Sequence, residues 1–154
     1  MFEVRRATAE DADSILKITK QAFGNYIKIA GISDTAALHE KKETVLTDIE
    51  NKLVYVAYMN GKVVGSVRIE ILDDKTAYLS RFGVDVSYQN LGVGKAIMNA
   101  FDADMRERGI KKVLLHTASK AFPLVRFYYG RGFYVESTTT DKGYVRAKMC
   151  KDFD

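Results

Sequence analysis

The dipeptide Asn60-Gly61 separates two runs rich in Val, Tyr and Leu, Leu53 to Met59 and Val63 to Leu72. Both central residues of a two-residue hairpin turn need positive φ, and asparagine and glycine accept it most readily. The segment therefore reads as a hairpin. Asp73-Asp74-Lys75 turns the chain again into a third strand, Thr76 to Val84. Beyond Val84 the pattern changes. Ser87 to Gly94 is a polar, glycine-containing loop, and Lys95 to Arg108 places Ile97, Met98, Phe101 and Met105 on one helical face. Gly109 is a natural stop for that helix. Lys112 to Thr117 is a short apolar strand. Strand, helix and strand in succession close as a right-handed parallel crossover.

The flanks add elements to this frame. Phe2 to Arg6 reads as a strand. Thr8 caps a helix with Glu10 and Asp11 in its first turn, and helical spacing continues to about Phe23. Gly24 to Ile32 reads as a loop, and Ser33-Asp34 as the cap of a second helix supported by Ala37, Leu38, Val45, Leu46 and Ile49. Pro123 suits the first turn of a helix running to about Tyr129. Phe133 to Thr140 and Tyr144 to Lys151 form two last strands around Asp141-Lys142-Gly143. The expected class is α+β: a mixed, mostly antiparallel central sheet with one parallel β-α-β crossover, flanked by about four helices. No repeat, low-complexity stretch or linker divides residues 1–154, which read as a single domain. A chain of 154 residues buries roughly 68–70% of its unfolded surface, enough for one core.

Composition narrows the function classes. Lys plus Arg number 24 against 20 for Asp plus Glu, a net +4, and the basic residues are scattered. A nucleic-acid footprint concentrates them in a patch, so no nucleic-acid partner is expected. No apolar stretch approaches the ~18–20 residues of a membrane span, and the start of the chain lacks the apolar core of a signal peptide. Cys150 is the one cysteine and has no internal partner, which fits a reducing, cytoplasmic setting. With 2 histidines and 1 cysteine far apart in sequence, no metal site is expected.

The chemistry-bearing segment is Gln89-Asn90-Leu91-Gly92-Val93-Gly94-Lys95. It sits between a strand and a helix, where the first amides of the helix have no internal acceptors and the helix dipole favours an anion. Gly92 and Gly94 let the backbone approach a phosphate closely, and Lys95 adds positive charge. The P-loop pattern fails here, because Gln89 stands at its leading glycine and Ala96 at the hydroxyl that would bind magnesium. The dinucleotide fingerprint fails at Ile97.

The string does resemble motif A of the GNAT-type N-acetyltransferases, Gln/Arg-x-x-Gly-x-Gly/Ala. The order of elements is similar over nearly the whole chain, and Phe127-Tyr128-Tyr129-Gly130-Arg131-Gly132-Phe133 resembles that family's Tyr-x-x-x-Gly-Phe ending. The resemblance implies acetyl-CoA as co-substrate. The strand through Phe82, Gly83 and Val84 would pair with its pantetheine arm, Asn90, Leu91, Gly92, Val93, Gly94 and Lys95 would wrap its pyrophosphate, and Gln89 holds the cofactor-binding Gln/Arg position at the head of the loop. It also implies that the parallel strands around Val84 and Val113 splay apart, and that Tyr128 protonates the departing thiolate. Two departures from the family pattern are Val86, where proline is common, and Ala121, where an asparagine often contacts the cofactor; no contact is assigned to Ala121.

Acetyl transfer to an amine needs a neutral nucleophile, a stabilised oxyanion and a protonated leaving thiolate. Backbone amides near Phe82 would serve the second need. A phenol with pKa about 10 keeps its proton at neutral pH and would serve the third. Glu70 either deprotonates the incoming ammonium through water or is a surface carboxylate. Tyr26, Asp34 and Glu40 fall in the region lining the acceptor pocket in this family, with helix capping and solvation as the alternative for the two acids. His116 reads as a satisfied core or edge histidine and His39 as solvated. The expected reaction is direct transfer to a small-molecule or peptide primary amine, since Cys150 lacks a nearby histidine. The alternative is a non-catalytic acyl-CoA sensor on the same fold. Exposed strand edges would allow a homodimer.

Overall fold

The computed structural model describes residues 2–154. Seven strands form one sheet: β1 (Glu3–Arg6), β2 (Leu53–Met59), β3 (Lys62–Ile71), β4 (Thr76–Val84), β5 (Lys112–Ala118), β6 (Tyr134–Thr139) and β7 (Arg146–Asp152). Their spatial order is β1-β2-β3-β4-β5-β7-β6. Every pairing is antiparallel except that of β4 with β5. Four α-helices flank the sheet: α1 (Ala12–Ala30), α2 (Lys42–Asn51), α3 (Val93–Glu107) and α4 (Phe122–Gly130). The fold is thus the expected α+β sheet with one parallel crossover, β4-α3-β5.

Alternation along the strands divides the core between the two faces. Val67, Ile69, Leu79, Val113 and Leu115 pack with Ile97, Met98 and Phe101 of α3. On the other face Val54, Val56 and Val63 pack against Ile15 and Ile18 of α1 and Val45 of α2. Gly65 lies under α3, where an added Cβ would stand 2.8 Å from Ile97 Cδ1 and 2.9 Å from Val93 Cγ1.

Three sequence expectations change. The first helix does not stop at Phe23 but runs through Gly24 to Ala30, ending on Gly31 with φ 69°. Tertiary packing extends it: Ala30 buries against Ala118 and Ala121, and the Ala118 N–H donates to Tyr26 Oη at 2.7 Å. The second helix does not begin at Ser33-Asp34. A short 3₁₀ turn, Ala36–His39, comes first and α2 starts at Lys42. The Asp34 carboxylate faces His39 Nε2 at 2.7 and 2.8 Å instead of capping a helix. The third helix begins at Val93, two residues before the expected Lys95.

Candidate active site

β4 and β5 are in register only over Thr76↔Lys112, Ala77↔Val113 and Tyr78↔Leu114. Beyond these pairs both strands continue, to Val84 and Ala118, but they part. Buried backbone groups need partners, and the parted edges leave a wedge of amides and carbonyls free for a ligand. The Tyr26 hydroxyl satisfies one of them, the Ala118 N–H.

β4 is also bent. Its register with β3 shifts between Ser66 and Arg68, and Arg81 takes φ 54°. A non-glycine residue in this region marks a bulge that re-aims neighbouring groups. Side chains hold the bulge. Arg81 Nε donates to Glu40 Oε2 at 2.9 Å. The fully buried Arg68 donates from Nη1 to Glu40 Oε2 and Asp48 Oδ2 (2.9 Å each), and from Nη2 to Glu40 Oε1 (2.9 Å) and Thr19 Oγ1 (3.1 Å).

On one side of the wedge lies a cavity of about 420 Å³. Its wall from β4 is Phe82, Gly83 and Val84, and its wall from the following loop is Gln89, Asn90 and Gly92. Val93, Gly94 and Lys95, the first turn of α3, close the end. The first helical hydrogen bond is Ala96 N–H to Gly92 C=O, so the amides of Val93, Gly94 and Lys95 have no partner within the helix. Gly92 caps α3 with φ 88°, and Asn90 has φ 64°. Gly94 lets the helix end meet Phe82: an added Cβ would stand 3.0 Å from Phe82 Cζ. The Phe82 ring stacks on Phe127 at 5.2 Å between centroids, inclined by 9°.

A second cavity, about 140 Å³, lies on the other side of Phe82. Both cavities share Phe23, Tyr26, Phe82 and Leu124. Tyr128 lines the smaller one, together with Tyr78, His116 and Arg146. Tyr128 is 5% exposed, and burial pushes its phenol well above the usual value. Tyr78 Oη lies 2.7 Å from His116 Nδ1. Burial, then the charges of Arg146 and Lys148, hold the His116 imidazole below its ordinary pKa. Among the described residues no cluster of His, Cys, Asp and Glu is arranged to hold a metal ion, and no helix is long and apolar enough to cross a membrane.

The sequence-expected residues separate into two groups. Phe82, Gly83, Val84, Gln89, Asn90, Gly92, Val93, Gly94 and Lys95 come together around the larger cavity. The Val93 side chain itself is in the core, so only its backbone faces the site. Leu91 is exposed and lines neither cavity. Tyr26 lines both and Tyr128 the smaller. Asp34, Glu40 and Glu70 line neither. Asp34 is paired with His39, both Glu40 oxygens are taken by arginines, and Glu70 pairs in register with Tyr78 at the exposed end of β3. Residues not singled out as site residues are Tyr78, Ser80, Arg81, Thr117, Tyr144 and Arg146. They come from three strands and the loop before β7, and alternation alone marks them as ordinary strand positions.

The family model of the Acetyltransferase (GNAT) family matches residues 16–133. The chain belongs to this family of acetyltransferases. It is 24% identical over 149 residues to a spermidine N(1)-acetyltransferase from Thermoplasma acidophilum, covering 89% of this chain and 91% of that protein. Its fold is similar to that of the PaiA N-acetyltransferase from Thermoplasma acidophilum in complex with coenzyme A, with TM-score 0.87, 22% identity and 99% coverage of each chain. It is also similar to that of the ribosomal-protein-S18-alanine N-acetyltransferase from Escherichia coli, with TM-score 0.80, 19% identity, and 99% and 94% coverage.

Proposed function

We propose that this chain transfers an acetyl group from acetyl-CoA directly to a primary amine while both are bound. The observation that carries the reading is the wedge between β4 and β5, which joins a cavity ending in open helix amides to a cavity lined by a protonated tyrosine. The amides of Val93, Gly94 and Lys95 would hold the pyrophosphate, with the helix dipole and the Lys95 ammonium favouring the negative charge. Gln89 and Asn90 form the side of the same cradle, and the free edge of β4 from Phe82 to Val84 offers hydrogen bonds to an extended amide-bearing arm. Acetyl-CoA supplies the activated acyl group.

The protein's own groups meet the three chemical needs. Backbone N–H groups at the Arg81–Phe82 bulge are the donors for the developing oxyanion, a role typically worth ~2.7–4 kcal/mol per donor in acyl transfer. Tyr128 keeps its proton at neutral pH and gives it to the departing sulfur. A covalent route through Cys150 is disfavoured. Its thiol is fully buried in β7, and burial, followed by the nearby Glu136, pushes its pKa up to about 11. The thiolate, the nucleophilic form, is then scarce.

Mixing the protein with acetyl-CoA and a panel of amines, and following free thiol release, tests the reading. Amine-dependent thiol release supports it. Tight acetyl-CoA binding with no turnover on any amine would instead make the protein an acyl-CoA sensor.

A further inference from the structure

The smaller cavity carries a charge pattern that narrows the acceptor. Resting on the reading of the site as an acetyltransferase, we infer that the acceptor is a small amine that also carries an anionic group, held by Arg146 and Arg81 with the amine directed at Phe82. Two guanidinium groups line the cavity, and among the described residues no aspartate or glutamate does.

Each nearby carboxylate is placed elsewhere. Both Glu40 oxygens are taken by the buried Arg68, and Oε2 also by Arg81. Asp141 meets Arg146 Nη1 through both oxygens at 3.2 Å from a turn where it is 53% exposed. Asp34 is paired with His39, and Glu70 is exposed at the end of β3. Lys148 stands opposite His116 on β7.

Both arginines keep donors in reserve. Among the described residues Arg81 donates to other side chains only from Nε, and Arg146 only from Nη1. Each guanidinium is thus engaged by one carboxylate on one side, and its remaining N–H donors match a second carboxylate or a phosphate in geometry and charge. A polycation would instead meet two like charges in a cavity that no aspartate or glutamate among the described residues lines.

The same charges assist the reaction. Like charge nearby disfavours the ammonium form of a bound amine, so the arginines that hold the anionic end also favour the neutral nucleophile at the other end. The amine then attacks without a dedicated carboxylate base, and its second proton leaves to solvent or to the neutral His116. The volume of about 140 Å³ lies below the roughly 300–1,000 Å³ of drug-sized ligand sites, which favours a small acceptor over an extended one.

The test measures kcat/KM for acetyl transfer, by thiol release, with the twenty standard amino acids each beside its amide. Phosphoethanolamine beside ethanolamine separates phosphate from carboxylate, and spermidine and an unblocked peptide complete the panel. The expected result is at least one acid preferred over its uncharged counterpart by roughly ten- to hundredfold, the range for a hydrogen bond to a charged group. In Arg146→Gln that ratio collapses toward one, Arg146→Lys recovers part of it, and Asp141→Asn, which frees the Arg146 fork, raises it. Circular dichroism and acetyl-CoA calorimetry on each variant report that the fold and the cofactor cradle are intact. Turnover that is equal or better on amides, spermidine or the peptide overturns the assignment and leaves the acetyltransferase reading standing. Acetyl-CoA binding without transfer to any amine overturns both.

Discussion

Glu40 Oε2 accepts hydrogen bonds from Arg68 Nη1 and Arg81 Nε, both at 2.9 Å. One carboxylate oxygen thus ties a fully buried guanidinium on β3 to the bulge of β4. Removing one partner of a buried ion pair leaves the other charge uncompensated and costs about 3–5 kcal/mol. Glu40→Ala is expected to lose stability of that order by urea unfolding, since Arg68 keeps only Asp48 as an anionic partner. Below its unfolding transition the variant should also lose kcat while its affinity for acetyl-CoA stays near wild type. The bulge relaxes, whereas the α3 amides do not depend on it. Unchanged kcat would detach the network from the chemistry.

Much of this frame is legible in the sequence because its signals are local. Asn60-Gly61 sits in its turn with φ 54° and 75°, and the Gln89–Lys95 segment leads into the start of α3, where the first helical hydrogen bond is Ala96 N–H to Gly92 C=O. What is not legible arises from distant contacts. Gly24 lowers helix propensity by about 1 kcal/mol relative to alanine, yet Ala30, Ala118 and Ala121 pack together and carry α1 past it. Glu40 is drawn toward Arg68, 28 positions away, and its backbone stays extended with ψ 150°, which delays α2. The smaller cavity draws on α1, β4, β5, α4 and β7, so no sequence window contains it. The positive φ of Arg81 has no signature in residue type.

The glycines around the larger cavity differ in what they tolerate. An added Cβ at Gly83 would stand 2.8 Å from Ala22 Cβ on α1, a rigid neighbour. Gly83→Ala should therefore cost about 1–3 kcal/mol as overpacking. At Gly94 the closest atom would be Phe82 Cζ at 3.0 Å, the end of a side chain that can yield slightly. Gly94→Ala should leave stability nearly unchanged but displace Phe82 and weaken acetyl-CoA binding several-fold by calorimetry. Wild-type affinity in Gly94→Ala would contradict the role assigned to this contact.

Tyr128→Phe retains the edge-on aromatic contact with Phe133, at 5.6 Å between centroids, and removes only the hydroxyl. If the hydroxyl protonates the leaving sulfur, kcat should fall by roughly 10²–10⁴-fold while acetyl-CoA affinity barely changes. A rate within a factor of two of wild type would remove Tyr128 from the mechanism. The more exposed Tyr129, 54% accessible, supplies the control: Tyr129→Phe should leave kcat unaltered.

His116 links the smaller cavity to acid stability. Burial first, then the positive charges of Arg146 and Lys148, favour its neutral form, with Asp141 opposing them. An unfolded chain takes up a proton on histidine near pH 6.5, whereas the folded chain does so only at lower pH. Between those two points the unfolded state binds more protons, so folding stability falls as pH decreases. The contribution is fully present above the unfolded pKa and is lost as pH falls through the folded one. Urea unfolding of wild type at about pH 7.5 and about pH 5 should therefore show a larger acid loss than His116→Gln shows over the same interval. Proton NMR of the imidazole gives the cause directly. Its titration should move to higher pH in Arg146→Gln, because removing a nearby cation restores the charged form. An unmoved titration would mean that Arg146 does not act on His116, and equal acid losses would mean that the fold leaves this imidazole unperturbed.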